Sequence, residues 1–156
     1  MKFSKTEAFW TVSRLVMGFI FLWAFLDKLF GLGYSTSSKM AWLNGGSPTS
    51  GFLKSLTGTF HSLFTPLAGN SLVDWLFMLG LLVVGLTLIL GIFTRFGSFT
   101  AISMLVLLAI AAYPSKTNPL VDDHIVDILM FTGIIIYNPV KYLSLDFISR
   151  RMFKKS

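Results

Sequence analysis

Four apolar stretches, separated by more polar segments, dominate the chain. They cover residues 10–30, 72–93, 98–113 and 120–140. A helix rises about 1.5 Å per residue, so about 20 residues cross a hydrocarbon core of roughly 30 Å. The pattern predicts an all-α integral membrane protein, a bundle of four transmembrane helices. The central apolar part of the fourth stretch is the shortest of the four. This stretch therefore crosses the membrane only if the acidic residues next to that part lie at the membrane edge.

The segment between the first two stretches, residues 31–71, has a helical pattern of its own. Ser47 is a good N-cap, and Pro48 suits the first helical position because its missing N–H has no partner there. Apolar residues recur at helical spacing from Phe52 onward, opposite a polar face. We therefore expect one amphipathic helix of about 16 residues, ending before Pro66, that lies at the membrane interface or folds over the bundle.

Glycines occur in the second stretch and just after it. Gly80, Gly85, Gly91 and Gly97 do not form the GxxxG pattern, so we interpret them as places where helices of one bundle approach closely. Between the two stretches, residues 94–97 (Thr-Arg-Phe-Gly) predict a tight basic turn. The four stretches and the loop together indicate a single membrane domain that covers the whole chain.

Charge is scarce and unevenly distributed. Only 13% of the residues are charged and the mean hydropathy is +0.73, whereas about a quarter of a soluble domain is charged. With the N-terminus inside, nine lysines and arginines lie on the inner side and four outside, which predicts that both termini are cytoplasmic. The net charge of +6 is thus an orientation signal, and we expect no nucleic-acid partner. The absence of cysteine excludes thiolate metal sites and iron–sulfur clusters, so any redox chemistry must use an external electron carrier.

The start of the fourth stretch holds the most informative polar cluster. Asp123 and Asp127 are four residues apart and His124 and Asp127 three apart, so the three side chains share one helical face. Three outcomes are open: pairing with Lys28 or another cation, binding or deprotonation of a small substrate or quinone, and metal ligation. We expect no metal, because only His61 remains as a second imidazole and the ligand shell is incomplete.

Other ionisable groups lie in the first and second stretches. Arg14 either snorkels to the inner headgroups or faces inward with a functional role. Asp27 and Lys28 are adjacent, so they point to different faces of the helix and at most one of them faces lipid comfortably. Asp74 either joins the acidic cluster from a neighbouring helix or only stabilises a helix N-terminus.

Three segments of the chain have distinctive motifs: Arg14-x-x-x-Gly18, the run from Phe21 to Leu29 around Asp27-Lys28, and the second stretch ending Gly91-Ile92-Phe93-Thr94-Arg95. These segments resemble the DoxX/DoxD family of small four-helix membrane proteins. Residues 41–52 (Ala-Trp-Leu-Asn-Gly-Gly-Ser-Pro-Thr-Ser-Gly-Phe) look like the DoxD-type subunit of thiosulfate:quinone oxidoreductase. The chain departs from the family in one place, since Ala24-Phe25 stands where the pattern often has glycine.

The resemblance implies a plasma-membrane protein that passes electrons from a thiosulfate-like sulfur compound to a quinone, which acts as acceptor and is not tightly bound. It also implies a partner, either a separate DoxA-type subunit or another protein, besides membrane lipid and a second copy of the chain. A non-catalytic scaffold or assembly partner of the DoxX type is the alternative. A small-solute transporter is disfavoured, because the chain has no inverted repeat.

For this activity, the residues of the chain predict two sets of site residues. The catalytic set relays protons to the quinone, and its members are Asp127, His124 and Asp123. The substrate-binding set comprises Lys28, Asp27, Trp42, Asn44 and Arg14.

Overall fold

The computed structural model describes residues 4–115, 118, 121–139 and 144–145, which form helices and connecting turns. The α-helices are α1 (Lys5–Phe30), α2 (Ser50–Lys54), α3 (His61–Phe64), α4 (Ser71–Leu90), α5 (Thr94–Ala112) and α6 (Asp123–Tyr137). Short 3₁₀ turns cover Ser38–Met40, Trp42–Asn44 and Thr65–Leu67.

Local capping signals set the ends of the long helices. A capping box starts α1: the Ser4 N–H donates to the Glu7 carboxylate, and the Glu7 N–H donates to Ser4 Oγ. The Asn70 side chain accepts backbone N–H groups of the first turn of α4. Both helices end at a glycine in the left-handed region, Gly31 (φ +66°) and Gly91 (φ +68°).

Three of the helices, α1, α4 and α5, are long and apolar enough to cross a membrane. They correspond to the first three predicted spans with shifted ends. Helix α1 begins at Lys5 and not at residue 10, α4 ends at Leu90 and not at residue 93, and α5 begins at Thr94 and not at residue 98. The prediction of a turn at 94–97 is wrong, because those residues already belong to α5. The turn occupies residues 91–93 instead, where Gly91 and Phe93 both adopt positive φ. Helix α6 has 15 residues and is about 22 Å long, shorter than the other three.

These three helices and α6 pack as a bundle in which α1 contacts α4, α4 contacts α5 and α5 contacts α6. Helix α6 closes the bundle against α1: the Phe21 and Phe131 rings meet edge to face at 5.4 Å, and Trp10 stacks on Tyr137 at 6.0 Å. Apolar side chains from all four helices fill the core. They are Met17, Phe21, Met78, Leu81, Val84, Leu88, Ala101, Leu105, Phe131 and Ile134.

Glycines allow α1 and α4 to pack closely. A Cβ added to Gly85 would lie 2.8 Å from Leu22 Cβ, and one added to Gly18 would lie 2.9 Å from Leu88 Cβ. Neither neighbour is a flexible side-chain end, so a larger residue would push the helices apart. The interpretation of Gly85 as a place of close helix approach is confirmed.

The prediction of one amphipathic helix in the loop is wrong. The structure has two short helices, α2 and α3, separated by residues 55–60. In this break the Thr59 N–H donates to the Tyr113 carbonyl at 2.8 Å, and Gly58 lies so close to the same carbonyl that a Cβ would not fit. A tertiary hydrogen bond to the end of α5 thus replaces the helical one, which the periodicity of the loop could not reveal.

Arg14 is fully buried, and its side chain extends from α1 to the end of α4. Its Nη1 donates to the carbonyls of Leu88 and Ile89, the latter at 3.4 Å. The last carbonyls of a helix have no N–H of their own helix to accept and carry the negative end of its dipole. The guanidinium therefore caps α4 and does not snorkel. Gly91 makes room for it, since a Cβ there would lie 2.8 Å from Arg14 Nη1.

We expect Arg14→Met to lower the free energy of unfolding by about 2 kcal/mol, because it removes charged hydrogen bonds to buried carbonyls. The exposed Arg95, at the start of α5, offers a matched control. Arg95→Met should change the free energy by less than about 0.5 kcal/mol. Denaturation in detergent, followed by circular dichroism, measures both. Equal losses in the two variants would mean that the cap does not stabilise α4.

Candidate functional site

A cleft opens at the end of the bundle where α1 and α5 finish and α4 and α6 begin, which we name the loop end. The cleft has a volume of about 250 Å³ and lies between the loop segment 52–58, residues 112–115 and the start of α6. We name it the loop cleft. Its lining comprises Phe52, Ser55, Leu56, Thr57, Gly58, Ala112, Pro114, Ser115, Asp122 and His124.

Asp122 and His124 form a hydrogen-bonded pair in the wall of the loop cleft. Asp122 is the N-cap of α6, and its Oδ1 accepts the Ile125 N–H at 3.2 Å. Its Oδ2 lies 2.9 Å from His124 Nδ1. A carboxylate at Nδ1 holds the proton on that nitrogen, so Nε2 is the nitrogen left to meet a ligand. The pair can therefore bind and transfer a proton at Nε2.

The electrostatics of Asp122 favour the ionised form. Burial raises the pKa of its carboxyl, but the hydrogen bonds from His124 and from the Ile125 N–H outweigh that effect. The pKa of Asp122 therefore lies below the ordinary aspartate value, and the group is a carboxylate at neutral pH. The wall of the cleft thus carries a fixed negative charge beside the imidazole.

Of the predicted catalytic residues, His124 lines the loop cleft. Asp123 is exposed. Asp127 is half-buried, lies about one helical turn after His124, and is on the same helical face as Phe131. Within the described parts of the chain, no ion pair joins Lys28 to these carboxylates and no three side chains are grouped to hold a metal. Helix α6 gives Asp123, His124 and Asp127 the expected helical spacing, and His124 Nδ1 makes its hydrogen bond with Asp122.

Sequence reasoning missed Asp122 as a site residue. Residues three or four apart share one helical face, whereas Asp122 and His124 are two residues apart across the start of a helix. The signal in the sequence is an aspartate, a residue type that favours the N-cap, two residues before a histidine at the start of an apolar stretch.

Asp27 and Lys28 organise the start of the loop. Asp27 is 1% exposed and accepts the N–H of Tyr34 at 3.2 Å, the N–H of Ser35 at 2.9 Å and Ser35 Oγ at 2.6 Å. Lys28 Nζ donates to the same Ser35 Oγ at 3.3 Å. Both side chains of this adjacent pair therefore bind Ser35, and they hold in place the segment that follows α1.

Asp74 fastens the loop to α4. Its Oδ1 accepts Ser47 Oγ at 2.9 Å, Thr49 Oγ1 at 2.6 Å and the Thr49 N–H at 3.2 Å. Ser47, which we expected to cap a helix, does accept the Ser50 N–H at 3.2 Å, but it also donates to Asp74. Asp74 therefore binds the loop and not the acidic cluster of α6.

None of the five predicted substrate-binding residues belongs to the described lining of the loop cleft. Trp42 packs edge to face on Trp75 with ring centres 4.6 Å apart. Asn44 Nδ2 donates to the Ser38 carbonyl at 2.8 Å, which stabilises the turn that contains it. Arg14 lies at the other end of the bundle, about 20 Å from Lys28 along α1.

Comparison with known proteins identifies one family. The family model described as DoxX matches residues 9–114, which contain α2 to α5 and all of α1 except its first four residues. The matched region includes the loop wall of the cleft but ends before Asp122 and His124. No curated protein and no solved structure matches the chain.

The low pKa of Asp122 predicts how stability depends on pH. The stabilisation by Asp122 is fully present above the unfolded pKa, about 3.9, and is lost as pH falls through the lower folded value. At neutral pH, Asp122→Ala should cost about 1 kcal/mol of helix capping, whereas Asp122→Asn should keep most of it. Unfolding in detergent between neutral and acid pH measures both effects.

The control for this series is Asp123→Asn, at an exposed neighbour in the same first turn of α6. This change should shift the free energy of unfolding by less than about 0.5 kcal/mol. If Asp122→Ala and the unaltered chain lost stability over the same acid range and by the same amount, another carboxyl would be responsible.

Proposed function

The chain belongs to the DoxX family, and we propose that it is a membrane subunit that passes electrons from a thiosulfate-like sulfur compound to a quinone. The observation that carries the proposal is the His124–Asp122 pair in the loop cleft. Quinone reduction takes up protons, and an imidazole held by a carboxylate at an accessible cleft is suited to deliver them. The resemblance of residues 41–52 to a DoxD-type subunit supports the choice of sulfur compound.

The reaction balances without a bound redox group. Two thiosulfate ions each lose one electron and join through a new S–S bond, which gives tetrathionate. The quinone takes up these two electrons and two protons and becomes the quinol. In this proposal the doubly protonated imidazole of His124 donates from Nε2, while its Nδ1–H stays on Asp122.

The sulfur substrate is a dianion and needs cations or N–H groups close to the cleft. Lys54 ends α2 and directly precedes Ser55, which lines the cleft, and Lys28 lies at the loop end of α1. We propose that these lysines attract the anion. Arg14 has no part in this step, because its guanidinium is buried against the carbonyls of α4. Asp123 and Asp127 remain proposed members of the proton relay behind His124.

A scaffold or assembly role of the DoxX type is the second candidate, and one observation favours it. Asp27, Asp74 and Asn44 all make hydrogen bonds that hold the loop in place. These hydrogen bonds make the loop end rigid. A rigid loop end also suits a protein that binds a DoxA-type subunit, another partner or a second copy of the chain.

We also propose that α6 is the fourth span and that both termini lie on the cytoplasmic side of the plasma membrane. The packing of α6 against α1 and α5 and the excess of inner lysines and arginines support this topology. Asp122 would then lie at the outer interface. The shortness of α6 is compatible with local thinning of the bilayer.

The topology can be tested with cysteine labelling, because the chain has no cysteine of its own. Ser37→Cys places a thiol at an exposed loop position, and Ser4→Cys places one at the exposed N-cap of α1. In intact cells, an impermeant thiol reagent should label the first and not the second. Labelling of Ser4→Cys alone would invert the topology.

The enzymatic proposal predicts that the purified protein reduces a soluble quinone when thiosulfate is added. His124→Gln should lower kcat about 100-fold, the scale of a lost general acid. The other histidine, His61, is exposed and lies outside the described lining, so His61→Gln should keep full activity. Absorbance of the quinone follows the reaction. If no quinone is reduced, with or without a co-purifying subunit, the scaffold role replaces this proposal.

A further inference from the structure

We propose that the loop cleft binds the quinone headgroup and not the sulfur dianion, with His124 Nε2 as the donor to a ring carbonyl. The inference rests on the proposed function, because it assigns one of the two proposed substrates to this site. Three properties favour a neutral ring: the size and walls of the cleft, the charge of its polar side, and the exposed apolar side chains on the helices that form it.

The size and walls of the cleft suit one flat ring. Its volume of about 250 Å³ is slightly below the roughly 300 Å³ at which ordinary ligand pockets begin. Phe52 and Leu56 of the loop and Ala112 and Pro114 of the α5 end give it apolar walls on two sides. A quinone ring buries apolar faces and presents oxygen only at its edge, so these walls match its shape and polarity.

The polar side of the cleft suits a neutral acceptor better than an anion. Asp122 brings a carboxylate into the lining, and that negative charge repels a dianion at short range. When it is protonated on both nitrogens, the imidazole of His124 only neutralises the charge of Asp122, so the pair offers a dianion no net positive charge. A quinone carbonyl, by contrast, needs only one donor. Asp122 holds the Nδ1–H, and the Nε2–H of the doubly protonated ring supplies that donor.

The ends of α5 and α6 that supply lining residues also present an exposed apolar surface. Leu107 and Ile110 of α5 are 58% and 42% exposed and lie within the last two turns before the cleft. Val126, one turn into α6, is 51% exposed. An isoprenoid chain on this surface stays in the lipid while its headgroup enters the cleft, a route that thiosulfate does not need.

Direct binding tests the assignment without turnover. Isothermal titration calorimetry of the full chain in nanodiscs, with a short-chain benzoquinone and no thiosulfate, should show saturable binding. Ala112→Phe fills the cleft from α5 and Thr57→Phe fills it from the loop, and each should weaken binding at least tenfold. Two variants on different elements guard against one that fails to fold.

The matched control is Ser103→Phe, which adds the same ring at an exposed position on α5 away from the lining, and it should bind as the unaltered chain does. His124→Phe should weaken binding about five- to tenfold through loss of one hydrogen bond. Thiosulfate in excess should not displace the quinone. Displacement by thiosulfate, or binding that Ala112→Phe and Thr57→Phe leave intact, would overturn the assignment.

The two proposals fail in different ways. A protein that binds the quinone in the cleft but never reduces it with thiosulfate contradicts the proposed function and leaves the headgroup site standing. A protein that turns over at full rate in both cleft-filling variants keeps the proposed function and loses this site.

Discussion

The buried guanidinium of Arg14 is the interaction on which the bundle depends. A helix that ends inside an apolar environment leaves carbonyl groups without partners, and each costs free energy there. Arg14 supplies N–H donors and a positive charge to the last turn of α4 from the neighbouring helix. It therefore joins α1 to α4 beside the turn that leads into α5. The close contacts of Gly18 and Gly85 along the same helix pair maintain this geometry.

At the loop end of the bundle, carboxylates connect separate segments, as Arg14 does at the other end. Asp27 and Asp74, at the end of α1 and in the first turn of α4, each accept three hydrogen bonds from the loop. Asp122 caps α6 and holds His124. A loop fastened at both ends forms a fixed wall for the cleft, so the cleft does not have to order itself when a ligand enters. Because most of the acidic residues that the structure describes make structural hydrogen bonds, His124 is the group best placed for chemistry.

The candidate site was predictable only in part. His124 stood out because an ionisable group near a membrane is expensive, and it lines the cleft. Its partner Asp122 and the loop wall were not found, because both depend on how separate segments meet. The predicted loop helix failed for the same reason: its periodicity was correct, but Thr59 binds the end of α5. The family match stops at residue 114, so membership does not extend to the His124–Asp122 pair.

Hydropathy along the chain alone determined the class of protein, three long apolar helices and the scarcity of usable polar groups. These properties follow from local composition, because each helix satisfies its own backbone and needs only apolar side chains to lie in lipid. Only the tertiary structure decided what the charged residues do. In the sequence, Arg14, Asp27 and Asp74 are all charged residues in or beside apolar stretches. In the structure, each is a structural anchor because of the segment that packs against it. His124 became a site candidate because the loop leaves a cleft beside it.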